Sequence, residues 1–162
     1  MRSAIGMDVD APPRLVFELA RDVERWPDLL PHYLRVHVAA REAAGGVIAQ
    51  MVAVRTFVPA IGQGLPVAWR ARAWAEPEAV RLRFRHLGGA TAGMDVTWRI
   101  EPAGSGCRVT IEHDFRPRLP LWGLLVDRLF VRPIAGRTLK TFRAIAEAAV
   151  RSDGAATANT TT

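Results

Sequence analysis

Two histidines stand where an apolar alternation would otherwise continue, and imidazole is the side chain best suited to acid–base chemistry near neutral pH. His86 continues a series of apolar residues at every second position that begins at Val80, and His113 continues one that begins at Val109. Because alternate side chains of a strand share a face, both imidazoles should lie on the apolar side of a sheet. Burial there would lower the pKa of each imidazole and leave it neutral at pH 7. A neutral imidazole can orient a ligand oxygen or move a proton.

Two interpretations of these histidines stay open. In one they are partly buried structural residues that hydrogen-bond to a neighbour, and in the other they are polar groups of a ligand cavity. The same two interpretations apply to Tyr33, the only tyrosine. It either contacts a ligand or has a structural role at the edge of a sheet. The catalytic candidates are therefore His113, His86 and Tyr33.

Other catalytic and cofactor signatures are missing from the sequence. The three serines, Ser3, Ser105 and Ser152, fall in an N-terminal segment, a tight turn and the tail, where a serine nucleophile is not expected. No glycine-rich phosphate loop occurs, and the four histidines lack the spacing of a zinc-binding helix. Cys107 is the single cysteine, which excludes a multi-cysteine metal site. We expect neither a metal nor a cofactor.

Large apolar residues share the parity of the two histidines and predict an aromatic-lined interior. Core packing explains each of them at least as well as ligand contact does, but pockets with such walls suit flat or isoprenoid ligands. The predicted ligand-binding residues are Tyr33, Trp69, Phe84, His86, Met94, Trp98, His113, Phe115, Leu125, Leu129 and Phe142. Trp26 and Trp122 are expected to anchor helices instead.

Arginines occupy the opposite parity and should lie on the convex face of the sheet. They are Arg70, Arg72, Arg81, Arg83 and Arg85. One interpretation is a solvated face, and the other is a peripheral docking patch for an anionic membrane or protein. The net charge of +6 is not gathered into a dense basic tract with interleaved aromatics, so nucleic acid is not an expected partner.

The elements that position these residues are a short strand over Ser3–Val9, a long β-rich run over Val47–Phe57 and five segments with period-two alternation. Helical spacing predicts a helix over Pro13–Ala20 with Asp10 as its N-cap. Short turns, among them Gly88-Gly89, join the later segments and predict an antiparallel sheet with one buried face.

The segment that follows Pro120 reads as helix to about Val150 and is expected to be interrupted near Pro133 and Gly136. It is the only element long enough to cover the apolar face of the sheet.

The composition bounds the class of protein. A chain of 162 residues, 49% hydrophobic and 23% charged, is typical of one soluble globular domain and excludes a disordered chain or a coiled coil. The most apolar segment, Leu119 to Val131, contains two charged residues, so no membrane span is predicted. The N-terminus lacks the pattern of a secretory signal, and we expect a cytoplasmic protein. Residues 1–150 are predicted to form one domain and residues 151–162 a disordered tail.

Three stretches resemble the START-like, helix-grip superfamily. They are DVERWPDLLPHY from Asp22 to Tyr33, the run from Val96 to Phe115, and the closing helix. Within the superfamily the chain is most similar to the branch of polyketide cyclases/dehydrases and coenzyme Q-binding START-like proteins, over roughly Ile5 to Ala149. The resemblance implies an α+β fold in which a seven-stranded antiparallel sheet wraps around a long C-terminal helix. It also implies a cavity between sheet and helix for a lipid, an isoprenoid quinone or an aromatic polyketide.

Aromatase/cyclases of this family hold arginines inside the cavity, where they polarise carbonyl oxygens of the polyketide. By residue order, the resemblance places Arg72 and Arg85 near those positions. Because side chains alternate between the two faces of a strand, however, both arginines should point outward, and Ala73 and His86 should point inward. The opposite register would expose Phe84 and its neighbours, at a cost of ~1.5–3 kcal/mol for each large side chain.

We therefore expect a protein that binds a hydrophobic small molecule. The alternative is a polyketide aromatase/cyclase that catalyses aldol cyclisation and dehydration, so whether the protein is an enzyme stays open. A second alternative is a protein-interaction module that uses the basic convex face.

Overall fold

Seven strands and four helices make up the parts of the chain that the computed structural model describes, residues 1–58, 63–117 and 120–159. The strands are β1 (Arg2–Val9), β2 (Tyr33–Arg41), β3 (Val47–Val58), β4 (Gln63–Glu76), β5 (Arg81–Gly89), β6 (Asp95–Ala103) and β7 (Gly106–Asp114). The helices are α1 (Pro13–Arg21), α2 (Trp26–Leu29), α3 (Pro120–Val126) and α4 (Arg132–Asn159), with a 3₁₀ turn at Val23–Arg25 and a π-helical segment at Asp127–Val131.

The strands form one antiparallel sheet in the order β1-β7-β6-β5-β4-β3-β2. Strands β2 to β7 follow one another as neighbours, and β1 pairs with β7, with Ile5 opposite Ile111. Helix α4 packs on the apolar face, where the ring of Phe142 lies 5.8 Å from that of Trp98. The structure thus confirms the predicted seven-stranded sheet gripping a long C-terminal helix.

Trp26, at the start of α2, is the centre of the aromatic core and is 2% exposed. Its ring contacts the rings of Tyr33, Phe84, Trp98 and Phe142 at centroid distances of 5.0, 5.7, 5.6 and 6.0 Å. The indole N–H donates to the carbonyl of Ala20, in the last turn of α1. Trp26 therefore anchors both short helices to the sheet.

Helix α1 begins at Pro13 as predicted, but Asp10 does not cap it. Pro12 is the N-cap residue and offers no side-chain hydrogen bond. The prolines suit this position because the first helical residues need no N–H partner. The backbone N–H of Asp10 instead donates to the Glu147 carboxylate of α4, 3.2 Å away.

Strand β5 continues through Gly88 and Gly89, where the sequence predicted a turn. The register against β4 shifts just after His86, which marks a β-bulge, and Gly89 takes a φ of +85°. A Cβ at Gly89 would lie 2.7 Å from the carbonyl oxygen of Ala68. Glycine is required here because it alone combines this φ with so close an approach of the neighbouring strand.

The interruption expected near Pro133 lies in the preceding turn, as the π-helical segment Asp127–Val131. Pro133 has no N–H to donate to the carbonyl of Leu129, four residues earlier. That carbonyl accepts a hydrogen bond from Arg55 Nε of β3 at 2.8 Å instead. The proline thus frees a helix carbonyl that ties the helix to the sheet.

Helix α4 passes through Gly136 without a break and continues to Asn159, beyond the expected end near Val150. The apolar periodicity stops at Val150, but the residues that follow include alanines and no proline, which favours continuation of the helix. Residues 160–162 of the tail predicted to be disordered lie outside the described residues.

Candidate active site

A cavity of about 90 Å³ lies between the concave face of the sheet and the helical residues Phe130 to Thr138. Its walls are mainly apolar, and its polar side chains are Tyr33, His86, Thr91, His113 and Thr138. The partly exposed lining residues, Val67, Trp69, His86, Phe130 and Ile134, mark its mouth. For comparison, an engineered protein cavity of ~150 Å³ holds one benzene molecule. Even a one-ring ligand must therefore displace side chains at the mouth or extend through it.

His86 lies at the mouth, directly before the bulge of β5. Its Nδ1 is 2.6 Å from Thr91 Oγ1 in the turn between β5 and β6, which fixes the orientation of the ring. The imidazole also stacks on the indole of Trp69, with ring centroids 5.9 Å apart and planes 19° from parallel. With Nδ1 engaged by Thr91, Nε2 is the atom that a ligand can reach.

His113 lies deeper in the cavity, on β7, and is 6% exposed. Its Nδ1 is buried without a hydrogen-bond partner among the described residues. Ser3 faces it across the β1–β7 pair, and Ser3 Oγ donates to Asp127 Oδ1 at 2.7 Å. The second oxygen of Asp127 accepts from Arg132 Nε, also at 2.7 Å. A buried, doubly hydrogen-bonded carboxylate thus lies close to His113.

Burial shifts both imidazoles toward the neutral form. Burial lowers the pKa of His86 to about 4, assisted by a charge on His113 and opposed by the negative charge of Asp95. Burial likewise lowers the pKa of His113 to about 4, opposed by the negative charge of Asp127 and assisted by Arg132. Both rings are therefore neutral at pH 7, in the direction that the alternation predicted.

The two histidines lie on β5 and β7, with β6 between them. His113 pairs with Val96 of β6, and the N–H of His86 donates to the carbonyl of Met94, two residues earlier on that strand. Adjacent strands are ~4.8 Å apart, so the two backbones are separated by ~10 Å across the cavity wall. Met94 and Val96, which also line the cavity, lie between the two histidines.

A second polar cluster lies on the opposite side of the cavity, where Tyr33 meets α4. The Tyr33 hydroxyl hydrogen-bonds to Thr138, and burial raises the pKa of this phenol. Thr138 Oγ1 donates to the carbonyl of Ile134 at 2.9 Å and lies 2.8 Å from Nε2 of His32. Since its only proton goes to Ile134, Thr138 accepts from the His32 N–H. Burial lowers the pKa of His32 to about 4 as well.

The arginines of β4 and β5 point away from the cavity, as strand parity predicted. Arg72 Nε donates to the Glu42 carboxylate at 2.8 Å, and Arg85 pairs with Asp95. Arg83 lies 3.7 Å from Glu76. No arginine lines the cavity among the described residues. Arg70 and Arg81 alternate with the inward-facing residues in the same way as these three arginines do.

Seven of the predicted ligand-binding residues come together in the cavity wall: Tyr33, Trp69, Phe84, His86, Met94, Trp98 and His113. Phe115 and Phe142 are buried in the core beside it. Leu125 and Leu129 instead lie on the surface, 48% and 38% exposed. The buried stripe of α4, traced back from Phe142 through Val131, reaches Asp127 and not the two leucines.

Sequence reasoning missed Thr91, Thr138, His32 and Asp127. The only signal for Asp127 is that an acid interrupts the most apolar run of the chain. The two threonines carry no periodic signal, because their role depends on which side chain faces them. In the described part of the chain, no group of three or more His, Cys, Asp or Glu side chains is placed to hold a metal ion. None of the helices there is long and apolar enough to cross a membrane.

Residues 9–143 match the model of the family described as polyketide cyclase / dehydrase and lipid transport. A protein of Streptomyces cyaneus that carries the name of a polyketide cyclase is 28% identical over 116 residues, which cover 70% of this chain and 72% of that protein. The granaticin polyketide synthase bifunctional cyclase/dehydratase of Streptomyces virginiae is 30% identical over 112 residues, 67% of this chain but only 34% of that protein. The crystal structure of the Zhui aromatase/cyclase from a Streptomyces species shares the fold, with a TM-score of 0.78 and 18% identity over 95% of this chain and 98% of that one.

Proposed function

Because the chain belongs to the polyketide cyclase/dehydrase and lipid transport family, we propose that it is an aromatase/cyclase-type enzyme that closes a ring in a poly-β-carbonyl chain. The observation that carries the proposal is the pair of neutral histidines, His86 and His113, in the wall of an aromatic-lined cavity. The curated relatives described above support this reaction class more strongly than lipid binding.

The reaction balances without an oxidant or a metal. In the aldol step a C–H bond beside one carbonyl breaks, a C–C bond forms to a second carbonyl carbon, and the proton ends on the new alkoxide. Dehydration then removes that hydroxyl and a neighbouring proton as water, and tautomerisation gives the aromatic ring. Each step needs one group that accepts a proton and one that donates a proton or hydrogen bond to an oxygen.

His86 and His113 are suited to these two roles. A neutral imidazole offers both a basic nitrogen and an N–H, and it can polarise a carbonyl without carrying charge. A charge on His113 disfavours a charge on His86, so the pair takes up one proton at a time. In each step the proton taken from carbon can be returned to oxygen, to the new alkoxide in the aldol step and to the departing hydroxyl in the dehydration step.

Tyr33 and Thr91 complete the site as neutral hydrogen-bonding groups. They take the place of the inward arginines expected from the resemblance, because Arg72 and Arg85 are engaged by carboxylates on the convex face. The apolar wall favours a flat product, and indole and phenyl rings can stack on it.

Diacetylacetone, a linear triketone, is the probe for this proposal, because its cyclisation and loss of one water gives orcinol. We expect the protein to accelerate orcinol formation, followed by its absorbance and by mass spectrometry. His86→Gln and His113→Gln should each lower the rate ~100-fold or more, as loss of a general acid–base group does. His37→Gln, which changes an exposed histidine, is the matched control and should keep the parent rate.

Non-catalytic binding of an apolar ligand is the second candidate, favoured by the lack of arginines in the described cavity wall. The same samples separate the two functions. Quenching of tryptophan fluorescence by orcinol without any acceleration of its formation would favour the binding protein. Acceleration that survives both His86→Gln and His113→Gln would contradict the roles given to the histidines.

A further inference from the structure

Six large apolar side chains are exposed around the mouth of the cavity. Five lie on α3 and the π-helical segment, namely Leu121, Trp122, Leu124, Leu125 and Leu129, with Leu121 81% exposed. The sixth is Leu65 of β4, which is 54% exposed. We call these six residues the mouth surface. They account for six of the nine large apolar side chains that are exposed in the described part of the chain.

Contacts place the mouth surface beside the cavity. Leu65 pairs with Arg55 across β3 and β4, and Arg55 Nε donates to the carbonyl of Leu129. Trp122 Nε1 lies 3.4 Å from the carbonyl oxygen of Ala90, next to Thr91 of the cavity wall. Leu65, Leu129 and Trp122 thus lie next to the cavity lining, and the other three leucines belong to the same helical segment as Trp122 and Leu129.

The charges around the mouth surface are positive. Between Pro120 and Arg137 the exposed charged residues are Arg128, Arg132 and Arg137, whereas the single acid, Asp127, is buried against Arg132. Arg132 is paired with Asp127, as Arg72, Arg83 and Arg85 of the convex face are paired with carboxylates. Arg128 and Arg137 have no carboxylate partner in the described part of the chain.

We propose that the mouth surface docks on an anionic lipid bilayer, with α3 lying in the interface. Exposed leucines and a tryptophan beside arginines are the composition of helices that rest in the headgroup region. A clustered positive charge is attracted by anionic lipids. The exposed side chains of α3 are leucines and one tryptophan, and the positive charges beside them complement the negative surface of an anionic bilayer. Docking in this orientation faces the cavity toward the bilayer, so that an apolar ligand passes between them without crossing water.

This proposal goes beyond the cyclase function and is tested without turnover. The full chain is floated with vesicles of phosphatidylcholine containing phosphatidylglycerol and, separately, with vesicles of phosphatidylcholine alone. We expect binding to the anionic vesicles that weakens as salt is added, because salt screens exposed charges.

Two variants and two matched controls locate the surface. Leu121→Ser combined with Leu124→Ser should lower vesicle binding ~10-fold or more, since two exposed apolar anchors are lost. Arg128→Gln should lower vesicle binding ~5-fold, which is the contribution expected of one arginine near an anionic membrane surface. Leu34→Ser, at a leucine of β2 that is 58% exposed, and Arg70→Gln on the convex face should leave binding unchanged.

Three results would overturn the proposal. The first is an absence of binding to anionic vesicles. The second is a loss of vesicle binding in the Leu34→Ser and Arg70→Gln controls that equals the loss in the mouth-surface variants. The third is a dimer in solution that the double substitution Leu121→Ser and Leu124→Ser converts to a monomer. The last result would assign the mouth surface to a second copy of the chain. None of the three depends on diacetylacetone turnover, so failure of this proposal and failure of the cyclase proposal are distinguishable.

Discussion

Acidification should destabilise the fold through His113, and replacement of this histidine by leucine should remove that effect. The folded-state pKa of His113 is about 4, whereas an unfolded chain has the ordinary histidine value of ~6.5. Between these values the unfolded state binds more protons than the folded state. The stability contributed by neutral His113 is therefore complete above ~pH 6.5 and is lost as the pH falls toward the folded-state pKa.

The magnitude follows from the two pKa values. Between ~pH 7.5 and ~pH 5 the proton taken up by the unfolded imidazole favours unfolding by ~2 kcal/mol. His113 is 6% exposed, so solvent screens little of this effect. Over the same pH interval, the free energy of unfolding of His113→Leu should consequently fall by ~2 kcal/mol less than that of the parent.

Urea unfolding followed by tryptophan fluorescence at each pH measures the free energy of unfolding. The comparison is between pH slopes and not between absolute stabilities, because the leucine also changes the packing. His37→Leu, at an exposed position on β2, is the control and should keep the parent slope. An identical slope for His113→Leu and the parent would refute the argument that His113 is neutral because it is buried.

Two further predictions concern the faces of the sheet and the bulge of β5. Arg72→Gln and Arg85→Gln should leave orcinol affinity, measured by fluorescence quenching, within ~2-fold of the parent because both guanidiniums face carboxylates outside the cavity. A loss of tenfold or more in either variant would place an arginine in the site. Gly89→Ala should destabilise the fold by at least ~1 kcal/mol more than Gly93→Ala in urea unfolding, since both have φ near +85° but only Gly89 meets neighbouring backbone. Equal losses would mean that the close approach at Gly89 is unimportant.

The faces of the strands could be predicted from the sequence because side chains alternate with a period of two. That rule placed Phe84, His86, Trp98 and His113 inward and the arginines outward without any knowledge of the neighbours. The long C-terminal helix followed from the need to cover the apolar face. Alternation and burial together were therefore sufficient for the fold and for the inward-facing strand residues named here.

The sequence could not predict features that depend on a partner or on helix phase. The turn expected at Gly88-Gly89 is a bulge, because the φ of Gly89 and its approach to Ala68 are set by the adjacent strand. Leu129 was predicted to bind the ligand, but the buried stripe of the helix runs through Asp127 instead. Thr138 joins the cavity because two elements distant in the sequence bring it to Tyr33, which no local pattern shows.

The pH dependence of orcinol formation from diacetylacetone tests most directly whether neutral histidines in this cavity carry out ring closure. With imidazole pKa values of about 4 at His86 and His113, kcat/KM at ~pH 5 should be within ~2-fold of its value at ~pH 6.5. An ordinary, solvated histidine would instead be mostly charged at ~pH 5, and the rate would fall more than ~10-fold over this interval. That larger fall, or no acceleration at any pH, would contradict the account.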